Sequence, residues 1–251
     1  MTRPSPEFSS HVSPGVHVTG SAARRWPRGR PDEVARLHAF SDGVFAFAAT
    51  LLVVNLRIPD SYDDLLTALG RVPALALAFA AVVSLWAIHR GFFSRYPLAD
   101  TWSVALNAVL LFVVLIYVYP LKLLVEVTSA RVLGVQVGTL GVMAATDVER
   151  VYMIFGAAVI ATCVVLAALH LRAWQLRETL GLDALGRVEL VAGGATYVGI
   201  AIMAGVASGI AALGIGTAWG LPVWILLTVS PLLELARTTY LRRRAPGVRQ
   251  P

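Results

Sequence analysis

Charge and cysteine are scarce in this chain. Only 14% of its residues are charged and 57% are hydrophobic, where an ordinary soluble domain carries about 25% charged residues. So little charge cannot cover a water-facing surface, which excludes a plain soluble domain. The single cysteine, Cys163, excludes a disulfide framework within one chain, and no CxxC spacing offers a thiolate metal site. Cys163 lies in an apolar run and reads as a small buried hydrophobe. Lysine is nearly absent as well: of 21 basic residues only Lys122 is not arginine. With the many Ala, Gly and Val, that reflects the codon usage of a GC-rich bacterial genome. Strand alternation long enough for a barrel is missing. Residues 1–32 hold Pro, Ser, Gly and five Arg but no apolar stretch, so no secretory signal is expected there.

Long apolar runs are what the chain does have. A helix needs about 20 residues to cross roughly 30 Å of hydrocarbon. Six stretches qualify: Val34–Leu56, Ala74–Phe93, Thr101–Leu121, Val151–Leu171, Leu190–Ile215 and Leu221–Tyr240. The expected fold is an all-α integral membrane protein with six spans in residues 33–241. A disordered tail, 1–32, precedes them and a basic tail, 242–251, follows. The connections are short, except Val125–Arg150, which has room for a short interfacial segment.

The net charge is +6, but the arginines cluster at run ends and in the tails. That pattern orients a membrane protein and gives no reason to expect nucleic acid. Sixteen of the 21 basic residues fall on the side holding both termini. The positive-inside rule makes that side cytoplasmic. In the fifth span Gly205 and Gly209 form a GxxxG, which favours close helix packing within the subunit.

The first span is unusual. From Gly43 to Leu56 it is too short to cross the bilayer, unless Arg36–Asp42 is also helical. Asp42 then lies inside the membrane, where a carboxylate needs a partner and marks function. The simpler alternative is that Ser41 or Asp42 caps a helix starting at Gly43. On a helical wheel Phe47, Leu51 and Val54 share one edge with Thr50 beside them, and Asp42 points about 140° away from Phe47. Arg36, Asp42, His89 and Asn107 come from three spans yet share one depth near the cytoplasmic side. They therefore predict a buried polar cluster.

Arg36-Leu-His-Ala-Phe40-Ser41-Asp42-Gly43 reads RxxxFSDG, followed by Val44-Phe45-Ala46-Phe47-Ala48-Ala49-Thr50-Leu51. This closely resembles the first helix of the prokaryotic TMEM175 family. Trp86, His89 and Phe92, and Asn107 with Pro120, also resemble that family. The resemblance implies a potassium-permeable cation channel in the bacterial cell membrane, a homotetramer whose central pore is lined by the first helix of each subunit. It implies a pore constriction at Phe47, Leu51 and Val54, with a hydroxyl layer at Thr50. It also implies a structural polar network of Arg36, Phe40, Ser41, Asp42, Gly43, Trp86, His89 and Asn107. The expected partners are K+, the lipid bilayer and other copies of the chain, with no cofactor and no bound metal.

The sequence departs from the family at Phe47, where Ile or Leu is usual, at the small Ala49, and at Asn55, which often has an acidic counterpart. There is no TVGYG, so selectivity rests on pore diameter, Thr50 and the cost of dehydration. A proton-coupled transporter or proton leak through Asp42 and His89, and a non-conducting family member, are the alternatives. An enzyme is not expected: no HExxH, GxSxG or phosphate-cradling loop occurs.

Overall fold

The computed structural model describes residues 31–54, 60–133, 145–215 and 239. Within them the chain forms six helices and no strand: α1 (Pro31–Val54), α2 (Tyr62–Gly70), α3 (Val72–Arg95), α4 (Thr101–Leu133), α5 (Ala145–Gln175) and α6 (Ala184–Ala212). Five of these, all but α2, are long and apolar enough to cross a membrane. They correspond to the first five expected spans, so this is a multi-pass helical membrane protein. The sixth expected span, Leu221–Tyr240, and the basic tail lie outside the described residues.

Helix α1 starts at Pro31, with proline at its first position and Asp32 and Glu33 in its first turn. Proline costs nothing there because its missing N–H would be unpaired anyway, and the two acids complement the helix dipole. Residues 1–30 of the expected N-terminal tail lie outside the described residues. Asp42 sits in mid-helix, which rules out the reading of Ser41 or Asp42 as a cap.

The stretch after α1, read from sequence as a plain loop, contains α2. Ser61 caps it by accepting from the Asp64 amide at 3.1 Å. The connection between the third and fourth expected spans is shorter than Val125–Arg150. Helix α4 runs on to Leu133 and α5 includes Ala145, so both helices extend into that stretch.

Packing divides into two sets of helices. Helices α1, α3 and α4 pack together, α5 and α6 form a close pair, and α4 joins the two sets. One core layer brings Phe45, Ala48 and Leu52 of α1 against Val82, Leu111, Val114 and Phe155. A second layer, nearer the α1 N-terminus, holds Phe92, Phe93, Tyr96, Leu110, Leu166 and Leu190. Cys163 is buried, as expected of a small hydrophobe.

The α5–α6 contact does not use the GxxxG. Among the described residues nothing lies within 4 Å of a Cβ placed on Gly205 or Gly209. Instead Ala204, Ala207 and Ala211 are buried, and the glycine at the contact is Gly156 of α5. A Cβ there would stand 1.9 Å from Ser208 Oγ and 3.2 Å from Ser208 Cβ. Similarly, a Cβ on Gly194 would stand 3.3 Å from His170 Cβ. Small residues let the two backbones approach closely where lipid offers no hydrophobic driving force.

Gly156→Ala is therefore expected to lower stability by about 1–3 kcal/mol. Adding Ser208→Ala is expected to recover part of the loss by removing the nearest atom. Thermal unfolding of the detergent-solubilised protein measures both; an unchanged midpoint for Gly156→Ala contradicts the packing account.

Candidate functional site

The polar residues of α1, α3 and α4 form a directed hydrogen-bond chain. His89 Nε2 donates to Asn107 Oδ1 at 2.6 Å. Asn107 Nδ2 donates to Ser41 Oγ at 3.0 Å, and Ser41 Oγ donates to the Leu37 carbonyl at 2.8 Å. All three side chains are buried. The Ser41 hydroxyl and the Asn107 amide each both donate and accept, which offsets the cost of burying them in an apolar core. His89 is wedged between Phe45 and Phe93, at ring-centroid distances of 5.3 Å and 4.8 Å.

A second arm leaves α1 one residue later. Trp86 Nε1 donates to Asp42 Oδ1 at 2.7 Å, and the Arg90 guanidinium stacks 5.3 Å from the Trp86 ring centroid. Trp86, His89 and Arg90 fall at i, i+3 and i+4, on one face of α3. Consecutive residues of α1, Ser41 and Asp42, thus reach two different helices. Asp42 remains exposed on its other side.

The structure brings together Ser41, Asp42, Trp86, His89 and Asn107. It does not bring in Arg36, which is exposed and makes no hydrogen bond or ion pair to another described residue. Phe40 and Gly43 are exposed on the far side of α1. Sequence reading missed His38, whose ring packs edge-on against Phe93 at 5.8 Å and whose Nε2 is buried without a partner. The sequence signal for His38 was its position on α1, one turn before Asp42.

The other face of α1 is bare. Phe40, Gly43, Phe47 and Thr50 recur at i, i+3, i+7 and i+10 and are all exposed; Phe47 is 57% exposed despite its size. Thr50 Oγ1 donates to the Phe47 carbonyl at 2.7 Å, which leaves its oxygen free to accept. Leu51 sits at the border, half-buried and packed against the subunit's own core. The side chain of Val54 lies outside what is described.

A family model described as the endosomal/lysosomal potassium channel TMEM175 matches residues 36–117, the segment that carries every member of the polar network. A Marivirga tractuosa protein named as a potassium channel is 32% identical over 160 residues, 61% of this chain and 65% of the relative. A crystallised variant of the potassium channel MtTMEM175, bound to a nanobody fusion protein, superimposes with a TM-score of 0.60 at 25% identity, covering 79% of this chain and 93% of that one. Over residues 36–117 the chain is similar to the TMEM175 family. A further relative, a Chamaesiphon minutus protein also named as a potassium channel, is 33% identical over 102 residues, 38% of this chain and 50% of the relative. The chain spans 65% and 50% of the lengths of these two relatives.

Beside the network, the protein has a second polar junction that the sequence did not reveal. Arg172, at the end of α5, reaches Asp100, just before α4, through Nε at 3.0 Å and Nη2 at 2.8 Å. Ser103 Oγ donates to the same carboxylate at 2.5 Å. Burial alone would raise the Asp100 pKa, but the hydrogen bonds from Ser103 and Arg172 and the Arg172 charge outweigh it and hold the carboxyl below its usual range. At the same end of the bundle Arg95 of α3 pairs with Glu189 of α6.

Two outcomes follow from these contacts. Asn107→Ala strands the buried groups of His89 and Ser41, at about 1–3 kcal/mol for each unpaired group. It is expected to depress the melting temperature more than Asp42→Ala, because exposed Asp42 leaves only a rim contact behind. If the order is reversed, the buried chain is not what docks α1. For Asp100 the folded pKa is depressed, so its contribution is complete above the ordinary carboxylate range and is lost as pH falls through the folded value. Wild-type stability is expected to hold from neutral pH down to about pH 4 and then drop. Asp100→Asn is expected to start lower and to lack that acid-labile component, as a pH series of thermal midpoints measures.

Proposed function

We propose that this chain is a subunit of a potassium-permeable cation channel in a bacterial cell membrane. In this reading four copies surround a central path lined by α1, with both termini in the cytoplasm. The observation that carries it is the division of α1 into two faces. Ser41, Phe45, Ala48 and Leu52 are spent on contacts with the subunit's own helices. Phe40, Gly43, Phe47 and Thr50 stay exposed. A polar network that fixes the rotation of a helix gives its opposite face a defined target, and a symmetry axis is the target that places the same residues of every copy at one level. The names of the relatives support potassium as the permeant ion.

The path is narrowed in this reading by a ring of Phe47 side chains. A hydrated cation at an apolar ring must shed water that the ring cannot replace, so the ring gates by dewetting. Thr50, one turn further along, presents its hydroxyl oxygen as an acceptor and supports selectivity by partly replacing lost water. Leu51 flanks the ring from its half-buried position, and Val54 is the outer member of the proposed constriction. Ser41, Asp42, Trp86, His89 and Asn107 hold α1 and do not touch the ion. Arg36, on the bare face one turn before Phe40, lies at the cytoplasmic mouth.

Potassium flux into liposomes holding the purified protein tests this reading. Phe47→Ala is expected to raise flux severalfold, Leu51→Ala to raise it less, and Val164→Ala, on the exposed face of α5, to leave it unchanged. Equal flux through wild type and Phe47→Ala removes Phe47 from the path. Flux that saturates with a solute and requires a proton gradient replaces the channel with a transporter.

A further inference from the structure

Helix α2 poses a problem that the packing of the subunit does not solve. Nine residues are too few for a helix to persist in water on its own, since isolated helices below about 12–15 residues are marginal. Yet none of the residues of α2 is buried. Tyr62, Leu65, Leu66 and Leu69 fall at i, i+3, i+4 and i+7, and thus form one continuous apolar face. That face is open: Tyr62 is 72% exposed and Leu69 55% exposed. Asp63, Asp64 and Thr67 occupy the opposite face. Among the described helices the main contact of α2, a slight one, is with α3.

The chain itself fixes where this face lies. The Arg71 amide closes α2 on the Ala68 and Leu69 carbonyls, and the Arg71 carbonyl accepts the first bond of α3, from Leu75 at 3.0 Å. Pro73 then stands in the first turn of α3 without an N–H, so the hydrogen-bond ladder of α2 does not run on unbroken into α3. A single residue thus separates α2 from a helix that is apolar enough to span the bilayer from Val72. That places α2 at the level where α3 enters the membrane.

We propose that α2 is a surface anchor that lies in the plane of the bilayer interface, with Tyr62, Leu65, Leu66 and Leu69 in the acyl–headgroup boundary and Asp63 and Asp64 in water. The occupant of the open face is lipid. A tyrosine at the end of an apolar face suits the headgroup level, where an apolar ring and a polar hydroxyl are both satisfied. The usual interfacial helix carries Lys or Arg on its polar face and draws on anionic lipid. Here the polar face is acidic, so the anchor rests on apolar burial, and anionic headgroups oppose it. The anchor depends on α3 crossing the membrane and not on ion conduction, so it stands or falls independently of the channel reading.

Nitroxide labels read the depth of each face in the full-length protein. In a Cys163→Ala background, single labels at Leu66→Cys and Leu69→Cys are compared with Asp63→Cys and Thr67→Cys in nanodiscs of phosphatidylcholine. The expected result is that positions 66 and 69 are accessible to oxygen and shielded from a water-soluble nickel chelate, with the reverse at 63 and 67. Adding phosphatidylglycerol is expected to leave the depth unchanged or to reduce it. All four positions equally open to the chelate overturns the proposal in favour of a solvated helix. Shielding of 66 and 69 from both reagents, with dipolar broadening between subunits, overturns it in favour of a second copy as the occupant. The positions labelled are exposed, so the substitutions leave the packing of the bundle intact.

Discussion

Inside a bilayer there is no water to receive a polar group that a helix turns the wrong way. Ser41 of α1 can satisfy its hydroxyl in the core only by accepting from Asn107 while it donates to the Leu37 carbonyl, and Asn107 in turn takes the His89 proton. Rotating α1 by a quarter turn breaks the first of these bonds and leaves the buried Asn107 amide N–H unsatisfied, at a cost well above thermal energy. The network therefore acts as an angular lock. It sends Phe45, Ala48 and Leu52 into the core and leaves Phe40, Gly43, Phe47 and Thr50 outside. Every functional statement about α1 inherits that angle.

The same economy governs the rest of the bundle. Where two long helices meet without polar groups, as α5 and α6 do, closeness comes from Gly156, Gly194 and a row of alanines. Where chain ends meet at the side holding the α1 N-terminus, charged pairs take over: Arg172 with Asp100 and Arg95 with Glu189. The apolar middle is held by shape and the edge by charge. The α1–α3–α4 layer carries the buried polar chain of Ser41, Asn107 and His89, and the TMEM175 family match covers these residues.

Much of this was legible in the residues. Five spans could be read from run length, because hydrocarbon thickness sets helix length. The grouping of Asp42, Trp86, His89 and Asn107 could be read from their shared depth together with the RxxxFSDG resemblance. The details were less legible. Depth alone admitted Arg36 to the cluster, but depth says nothing about which way a side chain points, and Arg36 points outward. Wheel angle placed Leu51 with Phe47, yet Leu51 lies at the border of the stripe and a neighbouring helix half-covers it. Which residues of α6 meet α5 was not legible: they are Ala204, Ala207 and Ser208, on the face adjacent to the GxxxG. Helix α2 escaped notice because it is too short for a span signal and begins beside loop-forming Pro59 and Asp60.

The sequence by itself determined that the chain is a helical membrane protein, where its apolar runs begin and end, and which rare polar residues the membrane would force into company. Those properties are local: they depend on composition and spacing along one helix. Tertiary structure alone decided the partners. It assigned Asp42 to Trp86 and Ser41 to Asn107, joined Asp100 to Arg172 across the bundle, and left one face of α1 and one face of α2 uncovered. Partner choice depends on how neighbouring helices rotate and cross, and a one-dimensional pattern does not encode that angle until another helix supplies the bond that fixes it.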